Sequence, residues 1–353
     1  MTPKIFYGLT VAAAVSLSAA AISHYQSQSW SSSVAVGEVL FPDLAGLAEK
    51  VVSLSVQKGG ETITITRLGD GWGIKDRSGF PADPEEVREA IVGLTQMTIV
   101  EDKTRNEARY KLLNLGDPAL KDSQSKLLHL TGENDKTIAT IILGKVKFGV
   151  LGPGRNGTYV RKPGDPQTWL VSGDIDAPTD VRGWAEKSIF EIAKESVSQI
   201  KIAHPDNEEV LLVRGEGEGD VFAFGLVNLP EGAKIKAGVD LSFVATAIAQ
   251  LELWDVKKAQ AVGDESAGQQ VVSEIIAKDG LKVVVRFISS EGEDHWVTVE
   301  ADGSDAAKKA AAAINARAKG WMFKIPTYKA ENFKKRLSDL IDPAAPAEPE
   351  DGS

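Results

Sequence analysis

The chain has 353 residues, a formal net charge of −10 at neutral pH and no cysteine. Its length predicts two domains, and 42% hydrophobic with 25% charged residues is typical of a globular protein rather than a disordered or coiled-coil one. The acidic balance argues against nucleic acid as a partner. The lack of cysteine excludes disulfides, thiolate metal sites and a cysteine nucleophile.

The N-terminal region contains an uncharged, mostly apolar run at residues 5–22. A run of this length is just sufficient to cross a bilayer core of ~30 Å, so it predicts a retained membrane anchor. A cleaved signal peptide is the alternative, because Ala19, Ala20 and Ala21 offer a small-residue cleavage site. Under both interpretations the rest of the chain is exported from the cytoplasm. The positive charge of Lys4 favours a cytoplasmic N-terminus.

The next elements are short strands followed by a helix. Apolar and polar residues alternate over 52–56 and 62–66, and Gly59 and Gly60 between these runs predict a hairpin. Residues 71–74 predict a third strand. Asp83 and Pro84 then predict the start of a helix with an apolar face directed at a sheet.

The same order of elements recurs about 150 residues later. The runs 197–202, 210–214 and 221–224 match the first three strands, and a helical stripe follows at 241–251. Further strand pairs match as well, and Trp169 corresponds to Trp321.

A last helix is predicted in each half, where Pro178-Thr179 and Pro326-Thr327 open it. Only the second half adds an Ala/Lys-rich helix, from Asp305 to Arg317.

From this layout we predict an α+β fold, in which a tandem duplication of an antiparallel-sheet unit is covered by helices and preceded by one N-terminal membrane helix. The tail is rich in Pro, Ala and Glu and is predicted to be disordered. The predicted segments are a membrane anchor or signal segment (1–26), a Ser-rich linker (27–39), the first repeat (40–194), the second repeat (195–342) and the acidic tail (343–353).

Several short motifs occur within this layout: LFPDL (40–44), Gly71-Trp72, PAD (81–83), RY (109–110), LGDP (115–118) and WMFKIP (321–326). With these motifs the chain resembles a bacterial family known only as domain of unknown function 4340, over about residues 40 to 341. The resemblance implies an envelope protein encoded near ABC-transporter genes of the gliding-motility auxiliary type. It implies a single-pass protein of the bacterial inner membrane whose folded part lies in the periplasm, with an ABC permease and associated envelope subunits as partners. It implies no active-site residue.

Residues 152–157 (GPGRNG) match the pattern G-x-G-x-x-G of dinucleotide sites. Such a site needs a helix after the last glycine, whereas residues 158–160 predict a strand. Asn156-Gly157 is typical of a hairpin turn, so we predict a turn and no cofactor.

The four histidines, His24, His129, His204 and His295, lie in separate predicted elements and lack metal-ligand spacing. We assign no metal-binding or catalytic residues, although a site assembled in space stays open. The acidic run at 215–220 predicts a solvated loop rather than a cation site.

Two further groups of residues have a structural and a functional interpretation. Glu291, Glu293 and Asp294 predict a hairpin tip rather than a pair of catalytic carboxylates. Trp169 and Trp321 predict core packing rather than sugar stacking.

These features predict a non-enzymatic, membrane-anchored accessory or scaffold protein of an ABC-type transport or envelope-assembly system, with binding residues unknown. One alternative is a module that binds an extracytoplasmic glycan or small ligand in a groove between the repeats. The other is an envelope hydrolase with a site assembled in space.

Overall fold

The computed structural model describes residues 37–215, 223–259, 270–291 and 294–342, and only the backbone of residues 289–291. The predicted membrane segment, residues 27–36 of the linker, residues 216–220 of the acidic run and the tail lie outside these ranges.

The first large sheet has nine strands in the spatial order β4-β3-β2-β1-β6-β7-β8-β9-β5. Every neighbouring pair is antiparallel. The strands are β1 Ser53–Lys58, β2 Glu61–Leu68, β3 Gly71–Ile74, β4 Phe80–Pro81, β5 Ile99–Asp102, β6 Lys126–Thr131, β7 Thr137–Lys147, β8 Gly157–Arg161 and β9 Thr168–Ser172.

The second large sheet has eight strands in the order β13-β12-β11-β17-β18-β19-β20-β16, again all antiparallel. Strands β10 and β15 form one small sheet, and β14 and β21 form another. These strands are β10 Ser188–Glu191, β11 Val197–Ala203, β12 Glu209–Arg214, β13 Phe224–Leu226, β14 Lys234–Ile235, β15 Gln250–Glu252, β16 Asp255–Lys258, β17 Val272–Ala277, β18 Leu281–Glu291, β19 Asp294–Gly303, β20 Trp321–Ile325 and β21 Ile341–Asp342.

The two large sheets have the same connectivity. Eight strands of each sheet, from β3 to β5 in the first and from β13 to β16 in the second, have the same spatial arrangement relative to their order along the chain. The first sheet has one additional strand, β4, at its edge. Strands can therefore be compared pairwise between the sheets, for example β7 with β18 and β8 with β19.

In the described part of the chain, six α-helices accompany the sheets. The second helix begins as predicted: the Asp83 carboxylate accepts the N–H of Glu85 at 2.9 Å, Pro84 is the first helical residue, and Val87, Ile91 and Leu94 are buried. The helices are α1 Leu44–Leu47, α2 Pro84–Gln96, α3 Leu241–Ile248, α4 Lys308–Ala318, α5 Thr327–Phe333 and α6 Leu337–Leu340.

The predicted α+β fold class is wrong. The described chain is mostly antiparallel sheet, with 40% strand and 23% helix. Among the described residues, no helix is long and apolar enough to cross a bilayer. Residues 5–22, where the membrane helix was predicted, lie outside the described ranges.

Two predicted helices show why the helical content is lower than expected. The helix predicted after Pro178-Thr179 is only a 3₁₀ turn, Val181–Gly183, because the Trp184 indole N–H donates to the Pro178 carbonyl at 2.8 Å and turns the chain back. The helix predicted after Pro326-Thr327 is divided into α5 and α6. An apolar stripe marks a buried face but does not fix the length of a helix.

The core lies between the sheets and helices and is continuous from one sheet to the other. The first sheet buries its second face too: Ile141 and Trp169 point into the main core, whereas Ile142 and Leu170 point the other way. That second face is covered by the 3₁₀ segment Glu107–Leu113, whose Tyr110 belongs to the same cluster.

Candidate functional site

An ion pair joins the two sheets where their edges meet. Arg77 ends the 3₁₀ turn Lys75–Arg77 between β3 and β4, and Asp255 begins β16. The guanidinium makes two hydrogen bonds to Asp255, from Nε to Oδ1 at 2.6 Å and from Nη2 to Oδ2 at 2.9 Å. The bonds with Asp255 raise the pKa of Arg77.

Aromatic rings pack beside this ion pair. The ring of Phe80 in β4 meets Trp321 of β20 edge-on, with centroids 5.0 Å apart, and lies 6.1 Å from Phe323. All three side chains are buried. Because the rings come from different sheets, they fix the relative position of the sheets.

Backbone and side-chain hydrogen bonds extend the junction. Strand β10 pairs with β15, and Arg182 donates to Glu252 alongside. On α4, Arg317 donates to the Ser188 carbonyl at 2.9 Å and to Glu186 at 3.4 Å. The segment from Arg182 to β10, which joins the two sheets along the chain, is therefore bonded to β15 and α4.

A groove of about 320 Å³ opens along this junction, and we call it the junction groove. Its wall is mainly apolar, with buried Phe80, Ile189, Leu253 and Phe323 and exposed Pro84 and Ala316. Charged Asp83, Glu186 and Arg317 also line it. The volume is near the lower end of small-molecule pockets, which are roughly 300–1,000 Å³. The groove has the size and polarity to receive an apolar side chain of a partner.

Part of the junction lies in a segment of the chain that matches a family model. A family model described as "Domain of unknown function (DUF4340)" matches residues 72–270, which are 199 of the 353 residues. The chain belongs to this family. The matched DUF4340 range includes both Arg77 and Asp255. Among curated proteins and solved structures, no match was found.

Two further pockets have charged side chains in their walls, and the first of them shares Trp321 with the junction. A pocket of about 480 Å³ on the second sheet has Arg286 and Glu300 in its wall, 4.0 Å apart, so it carries charges of both signs. A cleft of about 400 Å³ lies between the end of α2 and the connection from β7 to β8, and Arg155 and Asp174 line it.

The glycine motif at 152–157 lies in the connection from β7 to β8. Gly157 is the first residue of β8 rather than of a helix, so the prediction of a strand connection is confirmed. The prediction of a tight Asn156-Gly157 turn is wrong. Lys147 pairs with Gly157, so the connection contains nine residues, 148–156.

The histidines that fall within the described ranges lie in or beside different strands: His129 in β6, His204 just after β11 and His295 in β19. Nδ1 of His129 lies 2.7 Å from Thr140 Oγ1 across β6 and β7, and Nε2 of His204 lies 3.1 Å from the Lys335 carbonyl oxygen. Burial lowers the pKa of His295, and the charge of Lys334 adds to that effect. No cluster of three or more potential metal ligands occurs among the described residues, and His24 lies outside them.

Glu291 and Asp294 pair as the last residues of the β18–β19 hairpin, so the predicted hairpin tip is confirmed. Asp294 forms an ion pair with Lys324 at 2.6 Å. Glu293 lies outside the described residues.

Other groups with shifted pKa values lie in structural contacts. A hydrogen bond from Arg336 lowers the pKa of Asp206. Burial lowers the pKa of Lys329, whose ammonium donates to the carbonyls of Ala247 and Gln250 at 2.9 and 3.2 Å. Burial also lowers the pKa of Lys126. None of these residues lines the junction groove or the other two pockets.

The tryptophans Trp169 and Trp321 are 4% and 7% exposed, which confirms the core-packing prediction. The residues of the junction were missed at the level of the sequence. Arg77 and Asp255 are 178 positions apart, and neither lies in a motif that points to the other.

Proposed function

We propose that this chain is a non-enzymatic accessory protein of a bacterial envelope transport or assembly system of the ABC type, and that it acts by binding partner proteins. The location, outside the cytoplasm at the inner membrane, is part of the proposal. Its support is the apolar run at residues 5–22, which predicts export, and the resemblance of DUF4340 members to envelope proteins encoded near ABC transporters.

The proposed binding role rests on the presence of the junction groove. Partner proteins anchor on each other through a few apolar or aromatic side chains that fill preformed pockets. The groove offers such a pocket, with buried Phe80 and Phe323 in its wall. The ion pair and ring contacts beside it hold both walls in place, so little order is lost on binding.

The alternatives have weaker support. A glycan-binding module needs exposed aromatic rings along a cleft, whereas Trp169 and Trp321 are buried and the exposed Trp254 and Tyr328 line none of the pockets described above. A hydrolase needs titratable groups with shifted pKa values in a cleft, whereas His295, Lys329 and Asp206 lie outside the pockets described above.

The test is crosslinking of the tagged full-length chain in its native membranes, followed by mass spectrometry of the captured proteins. We expect an ABC permease and associated subunits. Ala316→Trp fills the groove from its exposed wall and should reduce this capture. Ala313→Trp is the control, because Ala313 is exposed one turn earlier on α4 and does not line the groove.

Recovery of the chain alone would overturn the accessory role. Capture that is equal for wild type and Ala316→Trp would leave the partner in place but remove the groove as its binding site.

A further inference from the structure

Basic residues are segregated along this acidic chain. Between Asp135 and Asp165 the sequence contains no acidic residue, although the whole chain has a net charge of −10. The basic residues of this stretch are Lys136, Lys145, Lys147, Arg155, Arg161 and Lys162. The stretch includes the end of β7, the start of β8 and the loop between them, residues 148–156, which we call the β7–β8 loop.

The β7–β8 loop is longer than is needed to connect two neighbouring antiparallel strands. The equivalent hairpin of the second sheet, β18–β19, connects Glu291 to Asp294 with two residues, whereas the β7–β8 loop has nine. Two-residue connections are the commonest in hairpins. The additional residues therefore need a reason other than joining the strands, and long surface loops often carry binding function.

The loop has a defined conformation that exposes an aromatic side chain. Backbone hydrogen bonds join Leu151 to Arg155 at 3.4 Å and Arg155 to Gly152 at 3.1 Å, and the Asn156 carbonyl accepts the N–H of Gly173 at 3.0 Å. Phe148 at the start of the loop is nevertheless 79% exposed. A large apolar side chain with such a high exposed fraction often marks a contact surface.

The basic side chains at this end of the hairpin are available for an external anion. Among the described residues, no carboxylate forms an ion pair with Lys145, Lys147 or Arg155. Lys145 lies 5.8 Å from the Tyr159 ring, and Arg155 is exposed beside the cleft. Asp174 is the acidic side chain in that cleft.

We propose that the β7–β8 loop is a membrane-contact loop that binds a surface of anionic lipids. Phe148 enters the boundary between headgroups and acyl chains, and Lys145, Lys147 and Arg155 lie against the lipid phosphates. A lipid surface fits better than an acidic protein partner. Space is open around Gly152 and Gly154, since a Cβ added to either glycine would have no atom within 4 Å. The cleft beside the loop is lined by Leu151, Gly154 and Arg155 but not by Phe148, so the exposed aromatic side chain lies outside the cleft and is free to enter a lipid surface.

The test uses the absence of cysteine in the chain. Phe148→Cys in the full-length protein is labelled with an environment-sensitive dye and mixed with vesicles of phosphatidylcholine and phosphatidylglycerol, or of phosphatidylcholine alone. The matched control is Phe243→Cys with the same dye, since Phe243 is also exposed, at 66%, but lies on α3. We expect a blue shift at position 148 on the anionic vesicles that is absent at position 243.

Charge is tested in the same labelled chain. Lys147→Glu and Arg155→Glu should each reduce the ratio of lipid-contacting to water-exposed label about fivefold or more, because one basic residue near an anionic surface contributes about that factor. Lys308→Glu, at an exposed residue of α4, is the control. High salt should weaken the shift at position 148, since it screens exposed charges.

Three results would overturn the proposal. The first is a label at position 148 that stays in water while the chain is bound to anionic vesicles. The second is an equal shift at positions 148 and 243. The third is a shift that occurs in native membranes but not in protein-free vesicles, which would assign the loop to a protein partner. None of these results depends on the capture of transporter subunits, so this proposal and the proposed function can fail independently.

Discussion

At the scale of single residues, Gly144 shows how one position admits a second layer onto the first sheet. It lies in β7, where glycine ordinarily weakens a strand. A Cβ at this position would lie 2.3 Å from the carbonyl oxygen of Leu113 and 2.9 Å from Cδ2 of Leu115. The missing side chain therefore allows the segment after β5 to pack on the sheet and bury Tyr110.

Gly144→Ala is expected to lower the free energy of unfolding by about 1–3 kcal/mol, because the backbone of residue 113 must move to make room. Gly225→Ala is the control: Gly225 also lies in a strand, β13, and nothing is within 4 Å of its Cβ position. Urea unfolding of both variants measures the difference. Equal losses would mean that the close approach at Gly144 has no energetic consequence.

At the scale of elements, the sequence predicts what is decided by neighbours along the chain. Helix α2 was predicted correctly because its cap, its first-position proline and its apolar stripe all lie within 13 residues. The hairpin of β1 and β2 was predicted correctly for the same reason, through Gly59 and Gly60. Local chemistry fixes such elements before any distant packing is known.

Elements that depend on distant or compact packing were missed. The chain after Pro178 turns back so tightly that a Cβ on Gly183 would lie 2.1 Å from Cβ of Pro178, so position 183 has no room for a side chain. The junction groove was missed for a related reason. Its walls come from residues as far apart as Phe80 and Phe323, and no periodicity in the sequence brings these together.

The cap of α2 provides the test at this scale. Asp83→Ala removes the acceptor for the Glu85 N–H and should cost about 1 kcal/mol of stability. Asp43→Ala is the matched control, because Asp43 precedes α1 without a side-chain capping bond. Thermal unfolding monitored by circular dichroism distinguishes them. A loss for Asp43→Ala as large as that for Asp83→Ala would contradict the capping role.

At the scale of the whole molecule, the two sheets share one core, so they are expected to unfold together. The Arg77–Asp255 pair is one of the connections that enforce this. Its side chains are 35% and 29% exposed, which places the pair between a solvated surface bridge and a buried one. Two parallel hydrogen bonds favour it, whereas partial exposure weakens it through solvent screening.

A double-mutant cycle measures what this connection contributes. Arg77→Met, Asp255→Asn and the double variant should give a coupling of about 1 kcal/mol in the free energy of unfolding. The control cycle uses Arg88 and Glu85, an exposed ion pair at 2.6 Å within α2 that joins no two sheets. The coupling between Arg88 and Glu85 should be smaller than that between Arg77 and Asp255. Calorimetry should show one unfolding transition for every protein of the control cycle. If the Arg77–Asp255 coupling is no larger than the control, the ion pair does not help to hold the sheets together, and Phe80 with Trp321 and Phe323 must do so without it.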